Sequence, residues 1–267
     1  MFTPRPVRFG RTLIIASLVG AAIWGLWRGP ISAEAAESAV VVMYHRVGEG
    51  DYPATNIRVD QFEAHIRELT GGRMAAMGVP EILAALRAGE TLPDRAVGIT
   101  IDDAFRSVYT EAWPRLKAAG LPFTLFVATD PVDRKTEGYM TWDQIRELEA
   151  AGVTIGSQTA SHLHMPTATA ARNAEDLARS NARFRAELGR APKLFAYPFG
   201  EYGLAVRDKV AEAGFTTAFG QHSGVVHKDT DPYFMPRFAM NENYAGLARF
   251  RPRSPRLRGL PPPPIVD

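Results

Sequence analysis

AVGITIDDAF, residues 96–105, sets how the rest of the chain is read. Six uncharged and mostly apolar residues, 96–101, stop abruptly at two carboxylates, Asp102 and Asp103. A short, mainly apolar run bounded in this way reads as a buried strand. A helical stretch then follows over roughly 106–119, with Pro114 placed to bend it. The same alternation extends in both directions. Strand-like runs stand at 39–44, 123–128, 153–157, 194–197, 215–219 and around 234–240. Helical patterns separate most of them. Asp60-x-x-Glu63 reads as a capping box opening a helix, as does Thr141-x-x-Gln144. Pro80 suits a first helical turn, a polar helix spans roughly 168–188, and RDKVAEAG ends at Gly214. Strands alternating with helices predict a parallel sheet with crossover helices. About seven strands in one stretch suit a closed or nearly closed α/β barrel, a single domain, better than two smaller domains.

Composition agrees with a globular chain. Of 267 residues, 46% are hydrophobic and 22% charged, which excludes global disorder and fibrous designs. There is no cysteine, and that removes disulfides, thiolate metal sites and cysteine nucleophiles together. The net charge of +2 is unevenly placed. Residues 1–35 carry Arg5, Arg8, Arg11 and Arg28 against Glu34. Residues 249–267 carry five arginines against Asp267, leaving the middle of the chain acidic. The basic ends therefore give no reason to expect a nucleic-acid partner.

The N-terminus has the layout of an export signal. Arg5, Arg8 and Arg11 precede an uncharged run at 12–27, and Ala33-Glu34-Ala35 is a small-x-small cleavage candidate. The run is short for a membrane span, which needs about 20 residues. An uncleaved anchor, with Trp24 and Trp27 at the interface, is the alternative. Membrane attachment is expected only in that second case, and both place 36–248 outside the cytoplasm. The proline- and arginine-rich 249–267 reads as a disordered tail.

In α/β barrels, reactive side chains sit where strands end. Those positions here are His45, Asp102-Asp103, the loop from Gln158 to His164, and Pro198-Phe199-Gly200. One aspartate at a strand end serves equally well as a turn residue or helix cap. Two adjacent ones repel, and call for a cation or a shared proton. Histidines with carboxylates make a donor set for a hard-to-borderline divalent metal.

With those residues in view, the chain resembles the polysaccharide deacetylases of the NodB-homology type, carbohydrate esterase family four, over roughly 39–245. ITIDDAF at 99–105, IGSQTASHLHM at 155–165 and FAYPFGEY at 195–202 carry the likeness, with weaker echoes in VVMYHRV and MTWDQIREL. The resemblance implies a distorted (β/α)7 barrel that hydrolyses N-acetyl groups of an N-acetylated polysaccharide or oligosaccharide. It implies a divalent metal, zinc foremost, which polarises the acetamide carbonyl and lowers the pKa of water toward roughly 7. By resemblance, Asp102 is the general base, and Asp103 and His162 are metal ligands. Pro198, Phe199 and Gly200 form a groove wall, with Tyr197 beside them and a backbone N–H near 199 for the oxyanion.

Three departures accompany the likeness. Gln158 stands where the family has its first metal histidine, so either its amide oxygen or His164 would complete the shell. Ala196 stands where an arginine orients the base, a task Arg237 could take from another strand. The family's late acid is not marked, with His222 and His227 as candidates. Phe105, Tyr197, Phe199 and Tyr202 could stack on sugar rings, and a degenerate barrel that binds polysaccharide without cleaving it is the second reading.

Overall fold

The computed structural model describes residues 1–2 and 37–246. All elements below belong to one compact unit, Ala33–Asp267. The export signal at 1–35, apart from its first two residues, and the tail at 249–267 lie outside the described residues.

The strands run β1 (Ser38–Tyr44), β2 (Arg46–Val47), β3 (Asn56–Ile57), β4 (Ala75–Met77), β5 (Ala96–Ile101), β6 (Thr124–Val127), β7 (Thr154–Ser157), β8 (Leu194–Ala196), β9 (Thr217–Phe219), β10 (Val226–His227) and β11 (Phe238–Ala239). The helices are α1 (Val59–Thr70), α2 (Val79–Ala88), α3 (Trp113–Ala118), α4 (Thr129–Asp133), α5 (Trp142–Ala150), α6 (Ala170–Leu188) and α7 (Leu204–Glu212). The main sheet has the order β10-β1-β5-β6-β7-β8-β9, all parallel except β10. One segment joins its two sides. Met235 exchanges backbone hydrogen bonds with Ala218 and Gly220 beside β9, while Phe238–Ala239 pairs with β1. The sheet is thus curled into the distorted (β/α)7 barrel of its structural relatives.

The period of two along each strand divides the two faces. Val97, Ile99 and Ile101 of β5 pack with Val40, Val42 and Tyr44 of β1 and with Phe62, Trp113, Ile145 and Phe184 of the helices. On the concave side, Val41 packs with Val79, Ile82, Phe126 and Phe219. Helix α2 therefore fills the concave face near the start of the strands. A Cβ on Gly98 would come within 3.0 Å of Val79 and 3.1 Å of Ile82, so glycine admits that helix. The other end of the same face, where the strands finish, is left for polar residues.

Local chemistry departs from the sequence expectation in a few places. Helix α1 is capped two residues before Asp60: the Arg58 N–H donates to Gln61 Oε1 at 3.1 Å, and Asp60 pairs with the Arg58 side chain. The Thr141–Gln144 box forms as expected, with reciprocal bonds of 3.3 and 3.0 Å. The stretch at 106–119 is not one bent helix. A π-helical turn, Val108–Ala112, precedes α3, because Pro114 has no N–H to continue the regular ladder. Strands β2, β3, β4 and β10 and helix α4 are too short to give a periodic signal. Among the described residues no helix is long and apolar enough to cross a membrane.

Candidate active site

Asp102 and Asp103 follow β5, and their side chains have different surroundings. Asp102 is fully buried. Its oxygens accept a bidentate pair of hydrogen bonds from Arg237, at 2.7 and 2.8 Å. Arg237 is also fully buried. It donates to Gly220 O at 2.9 Å and Thr100 Oγ1 at 3.2 Å, and its guanidinium lies over the rings of Phe126 and Phe219. A charge without water needs this degree of pairing. Ala196 is buried and brings no charge of its own, so Arg237 orients Asp102 from the segment that joins the sheet's two sides.

Asp103 turns the other way. Its φ is 72° and that of Ala104 is 53°, two successive left-handed residues without glycine. Such backbone is costly and persists where its surroundings hold it. One support is visible: the Asp103 N–H donates to Gln158 Oε1 at 3.1 Å. The Asp103 side chain reaches a cleft of about 310 Å³, lined by Met43, His45, Asp103, His162, Phe199 and Gln221 among others. His162 Nε2 stands 3.3 Å from Asp103 Oδ1, yet no donor is aligned on that buried oxygen. Burial pushes the Asp103 carboxyl up, but His162, His45 and Arg46 outweigh it and hold it below the usual carboxylate range.

An orphaned carboxylate oxygen facing an imidazole nitrogen is a donor pair that suits a divalent cation. Asp103 and His162 fit the metal that the fold implies. The third position fits poorly. Gln158 is fully buried, its oxygen is engaged by the Asp103 N–H, and its Nε2 has no partner. His164 does not replace it. Its ring stacks on Phe199 at 3.8 Å and 3°, its Nδ1 contacts Glu201 at 3.0 Å, and it does not line the cleft. Among the described residues no three histidine or carboxylate side chains gather as a cation site.

The expected groove wall reduces to one side chain. Phe199 is 46% exposed, lines the cleft, and meets His162 edge-on at 4.4 Å. Its φ of 59° throws the ring outward. Gly200 follows with φ 73°, and a Cβ there would lie 2.6 Å from Gln221, so only glycine fits. Pro198 and Tyr197 are buried. Tyr197 donates to Tyr233 O at 2.9 Å, and burial pushes its phenol well up, so it belongs to the core.

One residue that the sequence reading missed holds the His162 loop. Asp176 of α6 is fully buried and accepts from Ala160 N at 2.7 Å, Ser161 N at 3.0 Å and Ser161 Oγ at 2.7 Å. Burial raises its carboxyl, but those donors and Arg179 prevail and lower it. The available signal was a stripe, Asn173, Asp176, Leu177, Ser180, Asn181 and Phe184, all buried at helical spacing.

The comparisons with known proteins point to one family. The sequence pattern of the polysaccharide deacetylase family matches residues 89–218, a span holding Asp102, Asp103, Gln158 and His162. The chain belongs to the polysaccharide deacetylase family. The enzymes of this family hydrolyse carbon–nitrogen bonds other than peptide bonds. A poly-β-1,6-N-acetyl-D-glucosamine N-deacetylase of Staphylococcus aureus is 25% identical, over 77% of this chain and 80% of that protein. The IcaB structure from Ammonifex degensii is 27% identical with a TM-score of 0.71, covering 80% of this chain and 96% of that one. The Streptococcus pyogenes deacetylase PplD, solved with acetate, shares the fold at 19% identity and a TM-score of 0.72, over 77% and 93% of the two chains.

Proposed function

We propose that this deacetylase removes N-acetyl groups from an N-acetylglucosamine-containing polysaccharide or oligosaccharide outside the cytoplasm, using a divalent metal. The observation that carries the reading is the step between neighbouring aspartates: Asp102 locked on Arg237, and Asp103 presenting a free oxygen to the cleft beside His162. Asp103 and His162 would hold the metal, which supplies Lewis acidity toward the acetamide carbonyl and makes a water more acidic. Asp102 accepts the proton of the attacking water, since each of its oxygens retains a lone pair beyond the Arg237 bond. Phe199 offers an exposed apolar face to a sugar ring, and a backbone N–H near it supports the oxyanion. The S. aureus relative's substrate is the model for the polymer proposed here.

The export-signal pattern at 1–35 supports the location. N-terminal sequencing from the native host tests it, and an intact Met1 on a soluble cytoplasmic product contradicts it. One observation favours binding without turnover as a second reading: Gln158 stands where a third strong donor is needed. Acetate release from β-1,6- and β-1,4-linked N-acetylglucosamine oligomers, with zinc, cobalt or manganese supplied, separates the two. Release above the uncatalysed rate supports the enzyme. Oligomer binding without release supports the second reading.

A further inference from the structure

A sugar polymer presents two things to a hydrolase: the bond that is cut, and the hydroxyls around it that tell one linkage from another. Reading a hydroxyl needs a polar side chain that faces the substrate and has no partner of its own, because such a group is left unsatisfied by the wrong substrate. The cleft holds one such group.

The polar side chains that line the cleft are His45, Asp103, His162, Thr55, Asn241 and Gln221. The first three are titratable, and Asp103 and His162 are set against each other. Asn241 is committed within the fold: its Nδ2 donates to Ala54 O at 2.7 Å, and its Oδ1 accepts from Tyr244 N at 3.0 Å. The Thr55 hydroxyl is turned to Tyr52 O at 3.5 Å. Of the neutral amides and hydroxyls here, only Gln221 has no side-chain hydrogen bond among the described residues.

The surrounding chain holds that residue in place. Gln221 comes just after β9, and the carbonyl before it, Gly220 O, accepts from Arg237 Nε at 2.9 Å. The backbone there is therefore tied to the guanidinium that orients Asp102. The Gln221 Cβ and Cγ lie against Gly200, where a Cβ would come within 2.6 Å of both. Gly200 directly follows Phe199, whose ring lines the same cleft. Gln221 is half-buried. A stem pinned in this way has less rotamer freedom to lose when its amide takes a ligand.

A primary amide sets an acceptor and a donor side by side in one plane. The matching feature on a sugar is a pair of neighbouring hydroxyls. An internal N-acetylglucosamine of a β-1,6-linked chain has such a pair, at carbons three and four. In a β-1,4-linked chain carbon four carries the glycosidic bond, and the free hydroxyls at carbons three and six are not neighbours. We propose that Gln221 determines linkage specificity, by taking the neighbouring hydroxyls of a β-1,6-linked acetamido sugar seated beside Phe199. The inference rests on the deacetylase reading above and narrows its substrate. With the other linkage, one side of the amide faces the cleft without its partner.

The test removes the amide and keeps the stem. Gln221→Met preserves the packing on Gly200 and lacks both polar atoms. It is compared with wild type on β-1,6- and β-1,4-linked N-acetylglucosamine oligomers of equal length, with zinc supplied. Wild type should favour the β-1,6 oligomer in kcat/KM by about 5–100-fold, the range of two neutral hydrogen bonds. Gln221→Met should bring the two linkages within about threefold of each other, through KM rather than kcat. A β-1,6 oligomer of 4-deoxy units gives a second measurement: the missing hydroxyl should cost wild type about 2–10-fold and the variant less than about twofold. Zinc affinity, read by chelator competition, should match wild type. A wild type without the β-1,6 preference, a preference that survives in Gln221→Met, or equal 4-deoxy losses in the two proteins each overturns the assignment. A fall in kcat or zinc affinity with the linkage ratio kept marks a packing role alone and also overturns it. A wild type that releases acetate from neither oligomer fails the deacetylase reading itself, and the Gln221 proposal with it.

Discussion

Two carboxylates one residue apart occupy opposite regimes. Asp102 has no exposure and both oxygens satisfied by one guanidinium, inside a frame of Thr100, Gly220, Phe126 and Phe219. Asp103 has a buried oxygen with no aligned donor, a left-handed backbone, and supports that come from loops. The floor is held by a complete network, and the wall above it is left incomplete. A rigid, oriented carboxylate beneath an unsatisfied donor pair suits the metal-assisted hydrolysis proposed above. The same contrast says where the protein tolerates change: alterations of the floor should cost folding, and alterations of the wall should cost binding.

The largest effect expected on stability is at Arg237. Arg237→Met leaves the Asp102 charge buried and unpaired, and should cost about 3–5 kcal/mol in chemical denaturation. Adding Asp102→Asn should recover much of that loss. If Arg237→Met folds as stably as wild type, the floor is not the closed network described here.

The Asp176 support of the His162 loop comes next. Asp176→Ala leaves two backbone donors of the loop unsatisfied and should cost about 1–3 kcal/mol. Its pH dependence has a definite sign. The folded carboxyl lies below its unfolded value near 3.9, so its contribution is full above that pH and is lost as pH falls through the lower folded value. The gap between wild type and variant should therefore be widest at neutral pH and close in acid. Denaturation at pH 7 and pH 3 checks both parts.

The wall itself should respond in metal affinity. Gln158→His supplies an imidazole where the amide now serves the Asp103 backbone, and should tighten zinc binding by about tenfold or more, against the 10–100-fold typical of changes around a metal. No tightening in chelator competition would mean that position 158 serves only the backbone turn. The smallest effect belongs to Phe199→Ala. Loss of its ring contacts with His162 and His164 should cost about 0.5–1.5 kcal/mol in oligomer binding or stability.

The legible parts of this site were those whose chemistry is local. The strand ending at Asp102-Asp103 and the 158–162 loop could be read because adjacent carboxylates and clustered polar residues at strand ends are conspicuous in one dimension. Arg237 was legible only as a possibility. It lies 135 residues from Asp102, and only the sheet's return to β1 brings them together. Asp176 was hidden for a different reason: a helix face buried through Asn, Asp and Ser gives no apolar periodicity. An aromatic at a strand end can face either the groove or the core, and Tyr197, expected beside the groove, is buried with its hydroxyl on Tyr233 O. His164 stands at a spacing that suits a ligand in sequence, but its ring is held by Phe199 and Glu201.

The division of labour between floor and wall is tested most directly by measuring zinc affinity and acetate release together for Asp102→Asn and Asp103→Asn. Asp102→Asn should keep wild-type zinc affinity and lose about 10²–10⁴-fold in acetate release from N-acetylglucosamine oligomers. Asp103→Asn should lose both. Wild-type turnover in Asp102→Asn, or unchanged zinc affinity in Asp103→Asn, would contradict the account.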